Sequence, residues 1–256
     1  MCMDKINIVP IGSGSTGNCF YIEMSEYKFL IDMGIGYKKV KESLRVNNRS
    51  LEDIDAIFVS HGHGDHIKNS LAICNNTNCK VYTNETVMYY IKNVKADRIT
   101  LDIGKSIDLF EGFKVKMFLI PHDFVKTCGF IFEYKDRKLG YLTDCGKMND
   151  GIIKELMHSD VVIIEANHDI DMLKNGPYPK FLQDRILSKY GHLSNIECAK
   201  TINELYKYGT KNFLLAHLSM HNNNPRVAFD TVNDYLDKDD AFIYVCPCEG
   251  NEMLSF

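Results

Sequence analysis

Four side chains of the kinds that bind transition metals lie within six positions of this 256-residue chain. They occupy the segment Ser60-His61-Gly62-His63-Gly64-Asp65-His66, directly after the apolar run 55–59, which predicts a buried strand. An extended chain points His61 and His63 to one face, and the glycines allow a turn that brings Asp65 and His66 toward a second point. Imidazole and carboxylate suit zinc, manganese or iron, and this density of ligands is too high for one tetrahedral ion alone. The segment therefore predicts a metal site, and a histidine-rich surface loop is the alternative.

Further candidate ligands each follow a predicted strand, where the end of the strand can present them to a shared cleft. They are Asp32 after 29–31, His122 after 117–121, Asp144 after 140–143 and His217 after 213–216. Taken singly, such a residue is more often a cap or a turn residue than a ligand. Taken with the histidine segment, they supply enough groups for two metal ions.

Composition limits the classes of protein to which the chain can belong. With 45% hydrophobic and 25% charged residues, it suits one large globular domain or two small ones. The net charge of −4 offers no global attraction to nucleic acid, so local charge or metals would have to hold such a substrate. Nine cysteines without a regular framework predict free thiols in a reducing cytosol. Residues 1–5 do not resemble a leader and no segment approaches about 20 apolar residues, so we expect a soluble cytoplasmic protein.

Hydrophobic periodicity predicts strands that alternate with helices along the whole chain. The predicted strands are 6–11, 19–22, 28–31, 55–59, 81–82, 106–109, 113–119, 128–134, 138–143, 161–165, 213–216 and 241–246. The predicted helices are 36–48, 67–75, 84–93, 150–157, 179–190, 194–208 and 225–237. Many strands with helices between them in both halves indicate an α/β (α+β) protein with two sheets faced by outer helices.

The histidine segment resembles the H-x-H-x-D-H signature of the metallo-β-lactamase superfamily, whose other motif residues Asp32, His122, Asp144 and His217 match in order. The similarity is closer still to the YycJ (WalJ) family of metallo-hydrolases. It lies in the strings Glu165-Ala166-Asn167-His168-Asp169, 172–179, Gly191-His192-Leu193-Ser194-Asn195 and Ala216-His217-Leu218-Ser219. The resemblance covers nearly the whole chain and implies a single domain, 1–256, folded as a four-layer αββα sandwich.

The resemblance also implies how two divalent ions, of zinc, manganese or iron, would be held. One would be bound by His61, His63 and His122, and the other by Asp65, His66 and His217. Asp144 would bridge the ions, which would share a hydroxide, and Asp32 would orient ligands from behind. Cys145 adjoins Asp144, but successive strand residues point to opposite faces, and we assign the ligand role to Asp144.

Other motifs narrow the activity that the resemblance implies. Flavodiiron oxidoreductases carry Glu where this chain has His63, so redox chemistry is not expected. Secreted zinc β-lactamases use Cys in place of the bridging Asp, so β-lactamase activity is not expected either. The inserted domain of the β-CASP nucleases does not fit between Asp144 and His217. A glyoxalase-type thioesterase is harder to exclude. The segment 191–194 before an amphipathic helix resembles the phosphodiesterase and nuclease branch, in which an extra histidine, here His192, contacts the phosphate.

We therefore expect a dinuclear metal-dependent hydrolase, a phosphodiesterase that acts on nucleic acid as a 5′-to-3′ DNA exonuclease. The predicted catalytic residues are Asp65, Asp144 and His192, and the predicted substrate-binding residues are His168, Arg185 and Ser194. His168 is equally well explained as a histidine packed in the core. Arg185 is equally well explained as an arginine that is simply solvated. The alternatives are a hydrolase of a small cyclic phosphodiester or of a thioester, and a non-enzymatic metal-binding scaffold.

Overall fold

A computed structural model of the chain describes residues 5–236 and 238–256. Its strands are β1 (Ile6–Gly12), β2 (Cys19–Met24), β3 (Tyr27–Ile31), β4 (Ala56–Phe58), β5 (Lys80–Thr83), β6 (Arg98–Thr100), β7 (Ser106–Phe110), β8 (Phe113–Leu119), β9 (Cys128–Tyr134), β10 (Arg137–Leu142), β11 (Val161–Glu165), β12 (Asn212–Ala216), β13 (Phe242–Val245) and β14 (Leu254–Ser255). Its helices are α1 (Tyr37–Val46), α2 (Gly64–Ile67), α3 (Ser70–Cys74), α4 (Glu85–Met88), α5 (Asp150–Leu156), α6 (Ile170–Asn175), α7 (Lys180–Ile186), α8 (Asn195–Lys207) and α9 (Pro225–Leu236), with a 3₁₀ turn at Leu51–Asp53. The prediction that the chain has no leader concerns mainly residues 1–4, which lie outside the described residues. Residue 237, the last of the helix predicted for 225–237, also lies outside them.

The chain packs as two compact units, each built on one seven-stranded sheet. Unit 1 comprises the described residues of 1–105, 124–126 and 247–256, and unit 2 comprises those of 106–123 and 127–246. The sheet of unit 1 has the order β14-β1-β2-β3-β4-β5-β6, and the sheet of unit 2 has the order β13-β12-β11-β10-β9-β8-β7. In both sheets, antiparallel strands on one side continue into four parallel strands, β3 to β6 in unit 1 and β10 to β13 in unit 2.

Each sheet is covered by helices whose apolar faces complete a core. In unit 1, Val40 and Leu44 of α1 are four residues apart and pack with sheet residues such as Ile57. In unit 2, Ile202 and Leu205 of α8 pack with the neighbouring strands in the same way. The helices therefore hold the parallel strands in place, and the candidate ligands Asp32, His61, Asp144 and His217 follow the carboxyl ends of such strands, whereas His122 follows the antiparallel strand β8.

Three predicted helices are shorter in the structure than in the sequence prediction, because tertiary contacts or a change of backbone conformation interrupt them. The helix predicted for 67–75 is broken at Asn69, whose side-chain amide donates to the Gly34 carbonyl at 2.8 Å. The helix predicted for 84–93 ends at Met88, and Asn93 has a left-handed φ of 61°. The helix predicted for 179–190 ends at Ile186, whose carbonyl accepts from the His192 N–H at 3.0 Å.

Other elements were not predicted at all. The strand β6 lacks an apolar pattern because all three of its residues are exposed, and β14 has only two residues. The helix α6 is short, and its start depends on Asp169, whose carboxylate accepts from two backbone N–H groups.

Two expectations from composition can be compared with the structure. The cysteines of residues 5–236 and 238–256 are free thiols, seven of them buried and Cys248 exposed, as predicted. Within the same ranges, no helix combines the length and the apolar character that crossing a membrane requires.

Candidate metal centre

In unit 1, Asp32 directly follows β3 and orients the histidine segment. Its backbone has a left-handed φ of 63°, which is uncommon for a residue other than glycine and is typical of functional sites. The buried carboxylate accepts from the Ser60 N–H at 2.8 Å, from the Ser60 hydroxyl at 2.9 Å and from Nδ1 of His66 at 2.7 Å. These contacts suit the orienting role that the resemblance gives to Asp32.

The same contacts determine which ring nitrogens of unit 1 carry lone pairs. Because Nδ1–H of His66 donates to Asp32, Nε2 of His66 has the lone pair that a metal requires. The Ser60 hydroxyl donates to Asp32 and accepts from Nδ1 of His61 at 3.0 Å, so that Nε2 of His61 is likewise an acceptor. That Nε2 lies 3.1 Å from Nδ1 of His63, close to the separation of about 3.3 Å between two nitrogens that share a tetrahedral zinc ion. The donors of unit 1 fit a divalent cation.

Two residues that sequence reasoning missed hold the segment in position. The side-chain amide of Asn18 lies 3.0 Å from Nε2 of His66 and 3.3 Å from Oδ2 of Asp65, so it marks the point on which both ligand atoms converge. A Cβ on Gly34 would lie 1.6 Å from the Asp65 carbonyl oxygen, so only glycine lets the histidine segment pack against the end of β3. For Asn18, a signal was present in the sequence, because it ends the Gly-rich polar turn 12–18 directly before β2.

In unit 2, three predicted ligands approach one another at strand ends. Asp144 and His217 both have a left-handed backbone, with φ values of 59° and 57°. Oδ1 of Asp144 lies 3.7 Å from Nε2 of His122 and 3.6 Å from Nδ1 of His217. Nδ1 of His122 donates to the Gly191 carbonyl at 3.1 Å, which leaves Nε2 of this ring as the acceptor.

Glu165, at the carboxyl end of β11, is the central carboxylate of unit 2, and sequence reasoning missed it as a functional residue. Its Oε1 accepts from Nδ1 of His217 at 2.7 Å and from Nδ1 of His192 at 2.9 Å. Its Oε2 accepts from the backbone N–H groups of Cys145 and Leu193 at 3.1 and 2.9 Å. The available signal was its position, because an ionisable residue at the end of the all-apolar strand 161–164 resembles the other ligand positions.

The charged forms of Glu165 and His192 stabilise each other. Burial alone raises the pKa of Glu165, but the charge and hydrogen bond of His192 and the hydrogen bond of His217 outweigh it and hold the pKa below its ordinary value. Burial likewise lowers the pKa of His192, but the charge of Glu165 and the hydrogen bond to it raise the pKa above its ordinary value. The pair therefore favours a carboxylate beside a protonated imidazole.

Asp144, and not Cys145, is directed toward the histidines. The Cys145 side chain is fully buried in the core of unit 2, and burial strongly raises the pKa of its thiol. A thiol of this kind does not ionise readily and is a poor metal ligand. Burial of its thiol thus disfavours Cys145 as a ligand, and the ligand role of Asp144 stays a prediction.

The predicted substrate-binding residues differ in their surroundings. Ser194 caps α8, its hydroxyl accepting from the Glu197 N–H at 3.2 Å. The Arg185 side chain is 55% exposed and pairs with Asp123, the neighbour of His122. His168 is almost completely buried, and within the part of the chain that the structure describes neither ring nitrogen has a hydrogen-bond partner. Burial lowers its pKa to about 4, so the ring is neutral, and its role in substrate binding stays a prediction.

Four side chains of metal-binding types converge in the described part of unit 2, where Glu165 also holds the two histidines by hydrogen bonds. Asp144, Glu165, His192 and His217 each offer a ligand atom, and these atoms lie within 4.8 Å of one another. Imidazole nitrogens and carboxylate oxygens together are a donor set for zinc, manganese or iron. Both units therefore contribute donors that fit divalent cations.

Comparison with known proteins decides the family. The model of the beta-lactamase superfamily domain matches residues 27–218. The exodeoxyribonuclease WalJ of Streptococcus pneumoniae serotype 2 is 34% identical over 242 residues, covering 92% of this chain and 90% of that protein. The chain belongs to the metallo-β-lactamase superfamily and, within it, to the YycJ (WalJ) family. The exodeoxyribonuclease YycJ of Bacillus anthracis is a further relative, 31% identical over 232 residues, covering 89% of this chain and 88% of the relative.

Solved structures agree with this assignment at the level of the fold. The metallo-beta-lactamase fold protein YhfI from Bacillus subtilis matches with a TM-score of 0.75 and 15% identity, over 99% of this chain and all of that one. The predicted metallo-β-lactamase fold is therefore confirmed, with two mixed sheets that are each flanked by helices. Because members of the YycJ (WalJ) family match this chain over about nine-tenths of their length, the similarity is not confined to the metal motifs.

Proposed function

We propose that the protein is a metal-dependent phosphodiesterase that removes nucleotides from the 5′ end of DNA in the cytoplasm. One observation carries the proposal: in a chain 34% identical to an exodeoxyribonuclease, the Glu165 carboxylate accepts hydrogen bonds from both His217 and His192. A predicted metal ligand and a predicted proton donor are thus fixed by one buried carboxylate. The histidine segment of unit 1 and the metal-dependent hydrolases among its relatives support the same class of reaction.

The proposed cofactors are two divalent cations, of zinc, manganese or iron. His61, His63 and His122 would hold one ion, Asp65, His66 and His217 would hold the other, and Asp144 would be shared, as the family resemblance implies. When bound, such ions supply positive charge opposite the phosphate of the substrate. A degenerate, non-enzymatic site is disfavoured because all seven ligand positions retain residues that can bind a metal.

The chain's own residues would perform the proton transfer. Nδ1–H of His192 donates to Glu165, which leaves Nε2–H of the protonated ring to steady the phosphate or to pass its proton to the oxygen that leaves when the diester is cleaved. Ser194, two residues later, caps α8, and the positive end of that helix dipole favours a phosphate. Asp65 would act at the attacking side, and the exposed guanidinium of Arg185 would bind a flanking phosphate.

Replacing His192 tests this assignment. His192→Ala should keep its metal ions and lose phosphodiester turnover by roughly 10²–10⁴-fold, the usual scale for a lost acid–base group. The matched control is His158→Asn, because His158 is exposed and has a left-handed φ of 61°, which asparagine tolerates. Metal content would be measured by elemental analysis of protein purified without chelator. If His192→Ala loses metal, His192 is a ligand rather than a proton donor.

A substrate panel tests the choice of reaction. Metal-replete protein would be assayed on 5′-labelled DNA, RNA, bis(p-nitrophenyl) phosphate, a thioester and a β-lactam. We expect cleavage of DNA, with loss of activity after chelation and recovery when metal is added back. Good thioester hydrolysis without any diester hydrolysis would reject the nuclease, and cleavage of the chromogenic diester alone would restrict the function to small diesters.

A further inference from the structure

A row of aromatic rings runs from the histidine segment to the surface of unit 1. The ring of His63 lies 5.2 Å from that of Phe124, Phe124 lies 5.1 Å from Tyr90, and Tyr90 lies 5.7 Å from Tyr89. Each contact is edge-to-face, with interplanar angles between 66° and 84°. The row therefore links a predicted metal ligand to side chains that meet solvent.

The inner end of the row is a close fit. A Cβ on Gly62 would lie 2.3 Å from the ring of Phe124, so the glycine between the two histidines leaves space for this ring. Phe124 also lies 5.8 Å from the ring of His61. Because residues 124–126 belong to unit 1, these contacts lie within one packed body. The position of Phe124 beside the metal histidines thus depends on packing and not on a chance surface contact.

The outer end of the row is exposed and carries a positive charge. Tyr89 and Tyr90 are 67% and 50% exposed, between the buried anchors Val87 and Ile91. Nζ of Lys92 lies 3.5 Å from the centre of the Tyr89 ring. Two adjacent tyrosines that face solvent contribute little to folding, and tyrosine beside lysine is a typical surface for stacking a base and neutralising its phosphate.

We propose that this row, Phe124, Tyr90, Tyr89 and Lys92, is a stacking platform for the unpaired bases of a single-stranded end of the nucleic acid. The proposal rests on the proposed function and specifies its substrate, because bases in an intact duplex already stack on one another. The chain has a net charge of −4, so general attraction to phosphates is weak and contacts with bases must contribute to affinity. The platform would deliver the strand end toward His63.

Binding to a strand that cannot be cut tests the platform separately from catalysis. Metal-replete wild type and Tyr90→Ala, Tyr89→Ala and Tyr90→Phe would be titrated into a fluorescent single-stranded phosphorothioate 12-mer and followed by anisotropy. Each alanine variant should bind about tenfold more weakly, the scale for one lost base–aromatic stack, and Tyr90→Phe should bind as wild type does. Tyr235→Ala, which removes an exposed tyrosine of α9 in unit 2, is the control.

Strands that lack bases sharpen the test. An abasic 12-mer should bind wild type and Tyr90→Ala equally weakly, because only the base contacts Tyr90. The platform would be overturned if the alanine variants bound the normal strand within twofold of wild type, or if they lost as much affinity for the abasic strand as for the normal one. Either result would leave the proposed nuclease function standing. If wild type cuts no DNA but its binding still depends on Tyr90 and on bases, the platform stands and the proposed function fails.

Discussion

The two units end a strand with the same backbone device. In unit 1 the device is Asp32-Met33-Gly34 after β3, and in unit 2 it is Asp144-Cys145-Gly146 after β10. In each, an aspartate with a left-handed backbone precedes a fully buried side chain. A glycine follows, and its missing Cβ makes room for the loop that carries a site histidine, Asp65-His66 in one unit and Gly191-His192 in the other.

The carboxylates of these two aspartates have different surroundings. Asp32 accepts from Ser60 and His66 at 2.7 to 3.0 Å and is thus engaged in orienting its own unit. Oδ1 of Asp144 faces Nδ1 of His217 and of His192 at 3.6 Å, a distance longer than a hydrogen bond. In unit 2 the orienting contacts come from Glu165 instead. The same backbone geometry therefore serves two kinds of chemistry, and the partners of the carboxylate decide which.

The largest expected difference between the two aspartates is in turnover. Asp144→Ala should lower phosphodiester turnover by about 10³-fold, the effect of several kcal/mol of lost metal charge at the phosphate. Elemental analysis should find less metal in this variant than in wild type. Asp136→Ala, at an exposed turn of unit 2, is the control. If Asp144→Ala lost no more turnover than an Asp32 variant, the two carboxylates would have the same role.

The two glycines should respond alike if the shared backbone device is real. A Cβ on Gly34 would lie 1.6 Å from the Asp65 oxygen, and one on Gly146 would lie 2.5 Å from the Gly191 nitrogen. Each Gly→Ala change should therefore lower the free energy of unfolding by about 3 kcal/mol, the scale for an overpacked core. Gly36→Ala should change it by less than about 1 kcal/mol, because nothing lies within 4 Å of the added atom. Urea unfolding of the three variants would measure this, and a stable Gly146→Ala protein would contradict the parallel.

Glu165 and Asp32 should have similar effects on metal affinity, because both orient histidines from behind. Glu165→Gln and Asp32→Asn should each weaken metal binding by 10–100-fold, the usual range for such outer contacts. Competition with a chelator of known affinity would give the values. An unchanged affinity in Glu165→Gln would leave Asp32 as the orienting carboxylate and remove Glu165 from that role.

The smallest expected effect concerns an ion pair that distinguishes the cores of the units. In unit 1 the buried Glu23 accepts from Arg49, from the Tyr21 hydroxyl at 2.7 Å and from Asn7 at 2.8 Å. Burial raises the pKa of Glu23, but the hydrogen bonds from Arg49, Tyr21 and Asn7 outweigh it and lower the pKa to about 2. The stabilisation is therefore complete above the ordinary pKa near 4.5 and is lost as the pH falls toward 2.

Comparing wild type with Glu23→Gln over that range isolates the ion pair. Wild type should be more stable by on the order of 1–2 kcal/mol at neutral pH, and the difference should shrink between about pH 4.5 and pH 2. In unit 2, Asp160 and Arg137 form a more exposed pair, so Asp160→Asn should have a smaller effect. Chelator-treated proteins would be unfolded thermally at each pH. A difference that does not depend on pH would show that packing, and not charge, is lost.

Sequence periodicity was sufficient for the parts of the fold that depend on burial. The strand 161–165 was predicted with its bounds, and 113–119 and 128–134 likewise. It failed where tertiary contacts override local preference, as at Asn69, and where an element has no apolar face, as in β6. The division into two units is a property of packing that no local pattern expresses.

The candidate site was predictable in its ligands and not in the residues that hold them. Histidines and aspartates after apolar runs are visible because few other roles require those residue types there. Asn18 and Glu165 are linked to the site only through distant contacts, such as the 48 positions between Asn18 and His66. Likewise, the need for glycine at position 34 depends on an oxygen 31 residues later in the chain, which only the folded backbone reveals.

The pairing of β14 with β1 has a consequence for folding during synthesis. Asn7 pairs with Ser255, 248 positions later, and the backbone groups of Ile6 and Phe256 bond at 2.9 and 3.0 Å. At typical translation rates, roughly 12 to 50 s separate the appearance of the two partners on the ribosome. Until then β1 presents an open edge of the kind that recruits strands from neighbouring chains. Unit 1, although it begins first, completes its sheet last, and nascent chains are open to mispairing along β1 until β14 has been made.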